Sequence, residues 1–193
     1  NYTHEDGAGE IPVFPDPDPI LQGECGNDLV IAGMDWLPFI SPGFPNGYDN
    51  NLDCFWVFKT TLNASILFNF ETIEIERDHD CRADFIKVYD GPTTANEETL
   101  LPCGNANNVT VKTTGADAVV HFHTNSAHTD PGFKAYYRQI CGGVVKGSTG
   151  TLQSWNYPQP YNASDDVCEY IIKLDPGVVA KLDFASPFGI DGD

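Results

Sequence analysis

Two stretches of the chain repeat one pattern, and cysteines bracket each. The first reads Cys25-Gly26, then Ser41-Pro42-Gly43-Phe44-Pro45-Asn46-Gly47-Tyr48, then Cys54-Phe55-Trp56. The second reads Cys141-Gly142-Gly143, then Ser154-Trp155-Asn156-Tyr157-Pro158-Gln159-Pro160-Tyr161, then Cys168-Glu169-Tyr170. A repeat of about domain length means tandem modules. The modules are unequal, spanning residues 25–140 and 141–193. A unit half the length of its twin buries too little apolar surface to fold the same way. The chain is therefore expected to be part of a longer polypeptide, or the ordered part of one.

Six cysteines allow fifteen connectivities, so their number alone chooses none. The repeat makes pairing within each unit the simplest reading: Cys25 with Cys54 and Cys141 with Cys168, which leaves Cys81 with Cys103. No Cys-x-x-Cys is present to favour metal-bound thiols instead. Sequons begin at Asn1, Asn63, Asn108 and Asn162. Together with paired cysteines they point to the secretory pathway and a secreted, extracellular glycoprotein. The chain starts at Asn1 with no charged-then-apolar leader and holds no apolar run near membrane-spanning length, so it reads as mature, processed protein without a membrane span.

Charge excludes further classes. With 10 Lys and Arg against 28 Asp and Glu, the net charge is −18. Nucleic acid and anionic membranes are poor partners for such a surface, while cations and basic protein patches are good ones. Residues 1–24 concentrate the acids (Glu5, Asp6, Glu10, Asp16, Asp18, Glu24), hold no Lys or Arg, and carry Pro12, Pro15, Pro17 and Pro19. That segment is expected to be an extended arm or linker.

From Cys25 the texture becomes short alternating runs between turn residues, the mark of strands. Trp56 and Phe58 share a face, as do Ile66, Phe68 and Phe70, then Val120 and Phe122, then Phe133, Ala135 and Tyr137. Asp90-Gly91-Pro92, Thr114-Gly115-Ala116-Asp117 and Asp130-Pro131-Gly132 supply turns. No stretch has helical periodicity. The pattern predicts an all-β chain built as an antiparallel sandwich. No linker separates Ile140 from Cys141, so the two units should abut.

These residues resemble the CUB domain family. The resemblance rests on Cys25-Gly26, Ser41-Pro42 with Pro45 and Tyr48, Cys54 with Trp56, Phe68-x-Phe70, Cys81-x-x-Asp84 leading to Tyr89-Asp90-Gly91, Cys103-Gly104, and Gly132-Phe133-x-Ala135-Tyr136. Residues 25–140 are similar to a complete CUB domain; residues 141–193 are similar to the N-terminal half of another. The resemblance implies an antiparallel two-sheet, jelly-roll-like β-sandwich, with Cys25–Cys54 and Cys81–Cys103 bonded. It also implies a calcium site at Glu76, Asp84 and Asn125. Asn125 stands where calcium-binding members carry Asp, so one negative charge is lost and binding should weaken. Asp130, in the same loop, is a further candidate oxygen, and Asp191 a candidate counterpart in the second unit. Calcium suits such a set because it takes six to eight hard oxygens in loose geometry. Against this stands the plain reading of Glu76 and Asp84 as solvated turn acids in an acidic chain.

His121 and His123 fall on one strand face, and His79 lies between Asp78 and Asp80. A zinc site drawn from these is the less favoured reading beside ordinary exposed histidines. Hydrolase motifs such as Gly-x-Ser-x-Gly and His-Glu-x-x-His are missing from the sequence, and disulfide-paired cysteines cannot be nucleophiles, so no enzyme activity is expected. The leading expectation is a secreted, non-catalytic module that binds an extracellular protein in a calcium-dependent way, a partner's basic side chain docking on the calcium loops. The alternatives are a substrate-positioning arm of a larger secreted protease and, ranked last, glycan binding.

Overall fold

The computed structural model describes residues 25–26, 29–61, 64–154, 157 and 167–184. The expected arm at 1–24, the sequons at Asn1, Asn63 and Asn162, and Asp191 lie outside these residues.

Alternation of apolar and polar residues becomes strands throughout, and no helix occurs among the described residues. The strands are β1 (Leu29–Ile31), β2 (Leu37–Ile40), β3 (Asp53–Lys59), β4 (Ala64–Ile75), β5 (Phe85–Tyr89), β6 (Glu98–Leu100), β7 (Gly104–Lys112), β8 (Asp117–His123), β9 (Gly132–Cys141), β10 (Gly143–Lys146) and β11 (Tyr170–Lys173). Three sheets result: β1-β3-β8-β5-β6, β2-β9-β4-β7, and the pair β10-β11. The first two face each other as the sandwich expected from the sequence. All their pairings are antiparallel except β1 with β3, which is parallel.

The core between the two sheets is aromatic. Phe39 of β2 is its hub: the ring meets Trp56, Phe58, Phe68, Phe70, Phe133 and Tyr137, all edge-to-face, with centroids 5.3–6.3 Å apart. Such geometry sets the positive rim of one ring against the negative face of the next. On β4 the alternation breaks between Phe70 and Thr72, where the register with β9 shifts. The extra residue is a bulge. It keeps Ile73 and Ile75 on the core side, where both are buried like Phe68 and Phe70.

Disulfides join Cys25 to Cys54, Cys81 to Cys103 and Cys141 to Cys168. The repeat has a structural counterpart around two of them. A Cβ on Gly26 would collide with the carbonyl oxygen of Phe55, and one on Gly142 with that of Glu169. In each unit the residue after the first cysteine lies against the residue after the second, and only glycine leaves room for that approach. In each, too, the bridge closes a parallel strand pair, β1 with β3 and β10 with β11. The units abut more intimately than a missing linker requires: β9 runs unbroken to Cys141, which pairs with Ala64 of β4.

Candidate functional site at one end of the sandwich

Strand directions bring three loops to the same end. Glu76 directly follows β4, Asp84 directly precedes β5, and Asn125 lies two residues beyond β8. Sequence placed these three far apart; the structure brings them together. Asn125 Nδ2 donates to Glu76 Oε2 at 2.6 Å, and the Asn125 backbone N–H donates to Asp84 Oδ1 at 2.8 Å.

Tyr48 is the keystone of the cluster. It is buried, and its hydroxyl donates to Asp84 Oδ2 at 2.6 Å while accepting the Glu76 backbone N–H at 2.9 Å. Burial, and then the bond to Asp84, hold this phenol well above the ordinary tyrosine range. Asp84 is fully buried, which is costly for a carboxylate unless it is well bonded. Both of its oxygens have donors, and such charge-assisted bonds are the strong ones. The sequence motif containing Tyr48 was legible, but its contact with Asp84 was not, because that contact depends on how two distant loops meet.

The surrounding loops are rigidly bonded. Thr124 Oγ1 accepts the Leu52 N–H at 2.8 Å and donates to the Asp49 carbonyl at 2.9 Å. The Asp78 carboxylate accepts the N–H groups of Asp80, Arg82 and Ala83, which shapes the turn at Cys81. The bond from Ala83, above all, holds the Asp78 carboxyl below its usual range. Asp130 takes part through its backbone carbonyl, which accepts the Tyr48 N–H at 3.2 Å. His128 Nδ1 lies 3.2 Å from Glu76 Oε1.

Two carboxylates and an amide suit a hard divalent cation. Asn125 bonds to both Glu76 and Asp84, so the three gather around one point, and a cation there would have to displace bonds already made, since both Asp84 oxygens have donors. Asn125 turns its amide nitrogen toward Glu76, and its Oδ1 accepts the Ala127 N–H at 2.6 Å. To ligate a cation, the amide has to turn about and give up that bond. Among the other residues flagged in the sequence, His79 is fully exposed beside Asp80 at 2.7 Å and joins neither Glu76 nor the strand histidines. His121 and His123 lie on the outer face of the five-stranded sheet, together with Asp53, a residue that sequence reasoning passed over.

A family model described as CUB domain matches residues 25–137 and 141–193. Cubilin of Canis lupus familiaris is 30% identical over 166 residues, 85% of this chain and 4% of cubilin. Bone morphogenetic protein 1 of Xenopus laevis is 32% identical over 148 residues, 77% of this chain and 21% of that protein. The full extracellular region of zebrafish Gpr126/Adgrg6 superposes with a TM-score of 0.53 at 25% identity, covering 61% of this chain and 15% of that one. The CUB1-EGF-CUB2 domain of human MASP-1/3 superposes with a TM-score of 0.51 at 23% identity, covering 60% and 42%, and shares the fold.

Proposed function

The chain belongs to the CUB domain family, and on that premise we propose that it is an extracellular, non-catalytic protein-binding module. Its first unit, residues 25–140, would receive a partner on the loops that carry Glu76, Asp84 and Asn125, with one weakly held calcium ion among them. The meeting of these three residues around buried Tyr48 carries this reading. Glu76, with exposed Asp49 and Asp130, presents an acidic rim around buried Asp84, and such surfaces select basic side chains. Calcium would neutralise charge among the carboxylates and order the loops, and a partner's lysine or arginine would pair with the acids left at the rim. The three disulfides agree with an oxidising, extracellular setting. Residues 1–24 and 141–193 are read as an acidic arm and a partial second CUB domain. Asn108, exposed on edge strand β7, is the sequon site best placed among the described residues to carry a glycan.

Calcium titration followed by thermal melting tests the metal. An ion that binds only the folded state, at about 100 times its Kd, adds about 2.7 kcal/mol. Asn125→Asp restores a charge and needs no amide turn, so it should tighten calcium by roughly tenfold, about 1.4 kcal/mol. Glu76→Gln should loosen it. No melting shift in millimolar calcium for either the natural chain or Asn125→Asp would remove calcium from the proposal.

A further inference from the structure

The outer face of the five-stranded sheet holds a second, chemically different cluster. On β8, His121 and His123 point to the same side because side chains two apart share a face. On β3, Asp53 is the register partner of His123. The result is a convergence of three side chains: His121 Nε2 lies 2.6 Å from Asp53 Oδ1, and His123 Nδ1 lies 3.3 Å from the same oxygen. One ligand atom from each residue falls within 4.8 Å of the others. We propose that Asp53, His121 and His123 form a binding site for a first-row divalent metal ion, zinc in the extracellular setting, separate from the acidic loops.

Ligand chemistry and spacing support the assignment. Zinc takes imidazole nitrogen and carboxylate oxygen at about 2.0–2.2 Å in a tetrahedron, which sets neighbouring ligands roughly 3.3 Å apart. The His123–Asp53 separation already has that value. The His121–Asp53 pair must open by about 0.7 Å, and Asp53 has room to move because its side chain is 60% exposed. Both rings are held in place before any metal arrives. Phe55 stacks on His121 with centroids 4.1 Å apart, and Phe85 stacks on His123 at 4.9 Å. Lys87, the register partner of His121, is the one nearby cation on β5, and Glu98 pairs it at 2.9 Å.

The site is three-coordinate in protein ligands, with the fourth position open to solvent beside His123 and Asp53. Its affinity is limited by one group. His121 Nδ1 is buried without a hydrogen-bond partner. In the metal-free state it is the lone-pair nitrogen, while Nε2–H donates to Asp53. Metal on Nε2 moves the remaining proton to Nδ1, where no acceptor waits, whereas well-tuned zinc histidines donate that proton to a partner. A micromolar rather than nanomolar constant is therefore expected. Copper(II) should bind more tightly than zinc on the same three ligands.

The test is calorimetric titration of zinc chloride into the intact 193-residue chain, read beside the histidine ring resonances. One saturable site is expected, with the His121 and His123 signals shifting and that of His79 unmoved. His123→Asn and Asp53→Asn, both at partly or fully exposed positions and both checked for an unchanged melting temperature, should each weaken zinc by at least about tenfold. Glu76→Gln should leave the isotherm as it is, which separates this site from the acidic loops and their His128. No saturable zinc binding into the millimolar range, or natural affinity retained in both His123→Asn and Asp53→Asn, overturns the proposal.

Discussion

The two units begin alike, and among the described residues they are covered differently. Each has a cysteine, a glycine pressed against a carbonyl, and a parallel strand pair closed by a disulfide. The first goes on to lay a four-stranded sheet over that beginning, so that Trp56, Phe58 and Phe122 disappear from solvent. Among the described residues of the second, Ile171, Val179, Leu182 and Phe184 remain exposed. Among the described residues, an opposing layer is seen over the first unit alone. A sheet is apolar on one face and gains little until something covers it, so the shared framework supplies shape while the covering sheet supplies most of the stability.

The sharpest way to break this comparison is to attack the covering layer in the first unit. Phe39→Ala removes the ring that touches six other aromatics and should destabilise residues 25–140 by about 3–5 kcal/mol. Denaturant unfolding followed by tryptophan fluorescence measures it. A loss below about 1 kcal/mol would mean the sheet contact is not what holds the first unit. The complementary substitution is Cys168→Ser, which opens the second unit's bridge and leaves buried Cys141 in place. A loop of that size is worth about 3–4 kcal/mol. Hydrogen exchange should show protection lost in β10 and β11 and retained in β4, β8 and β9. Collapse of both sets together would show one cooperative block instead of two unequal ones. A smaller effect comes from alkali. Burial pushes the Tyr137 phenol up to about 12. Its folded pKa exceeds the unfolded value near 10, so the first unit loses stability as pH rises from about 10 towards 12, by about 2–3 kcal/mol. Tyr137→Phe should remove its share of that slope, leaving the share of the buried Tyr48 phenol, without moving the pH 7 exchange pattern of β10 and β11.

Much of the sandwich was legible because its strands alternate cleanly. Trp56 and Phe58, Val120 and Phe122, and Phe133, Ala135 and Tyr137 declare a buried face by period alone. The end of β4 was not legible: the bulge after Phe70 resets the alternation, and nothing local to Glu71 announces it. Nor was β7, whose Asn105-Ala106-Asn107-Asn108 run shows no apolar alternation yet pairs with β4 as an edge strand. The parallel pairing of β1 with β3 escaped the expectation of an all-antiparallel sandwich, since direction is a property of the chain's return path. At the candidate site, Glu76, Asp84 and Asn125 came from family resemblance, whereas the orientation of the Asn125 amide and the Tyr48 bridge needed coordinates. Asp53 was missed because its link to His121 and His123 is set by strand register across 68 and 70 residues.

Strand β9 gives the molecule a mechanical character. It is an interior strand, flanked by β2 and β4, and it delivers the chain directly into Cys141. Tension applied to the second unit therefore enters the first along the axis of a strand laddered on both sides. Hydrogen bonds that lie across the pull must rupture as a group, not one at a time from an end. A module joined in this way passes load directly to its neighbour.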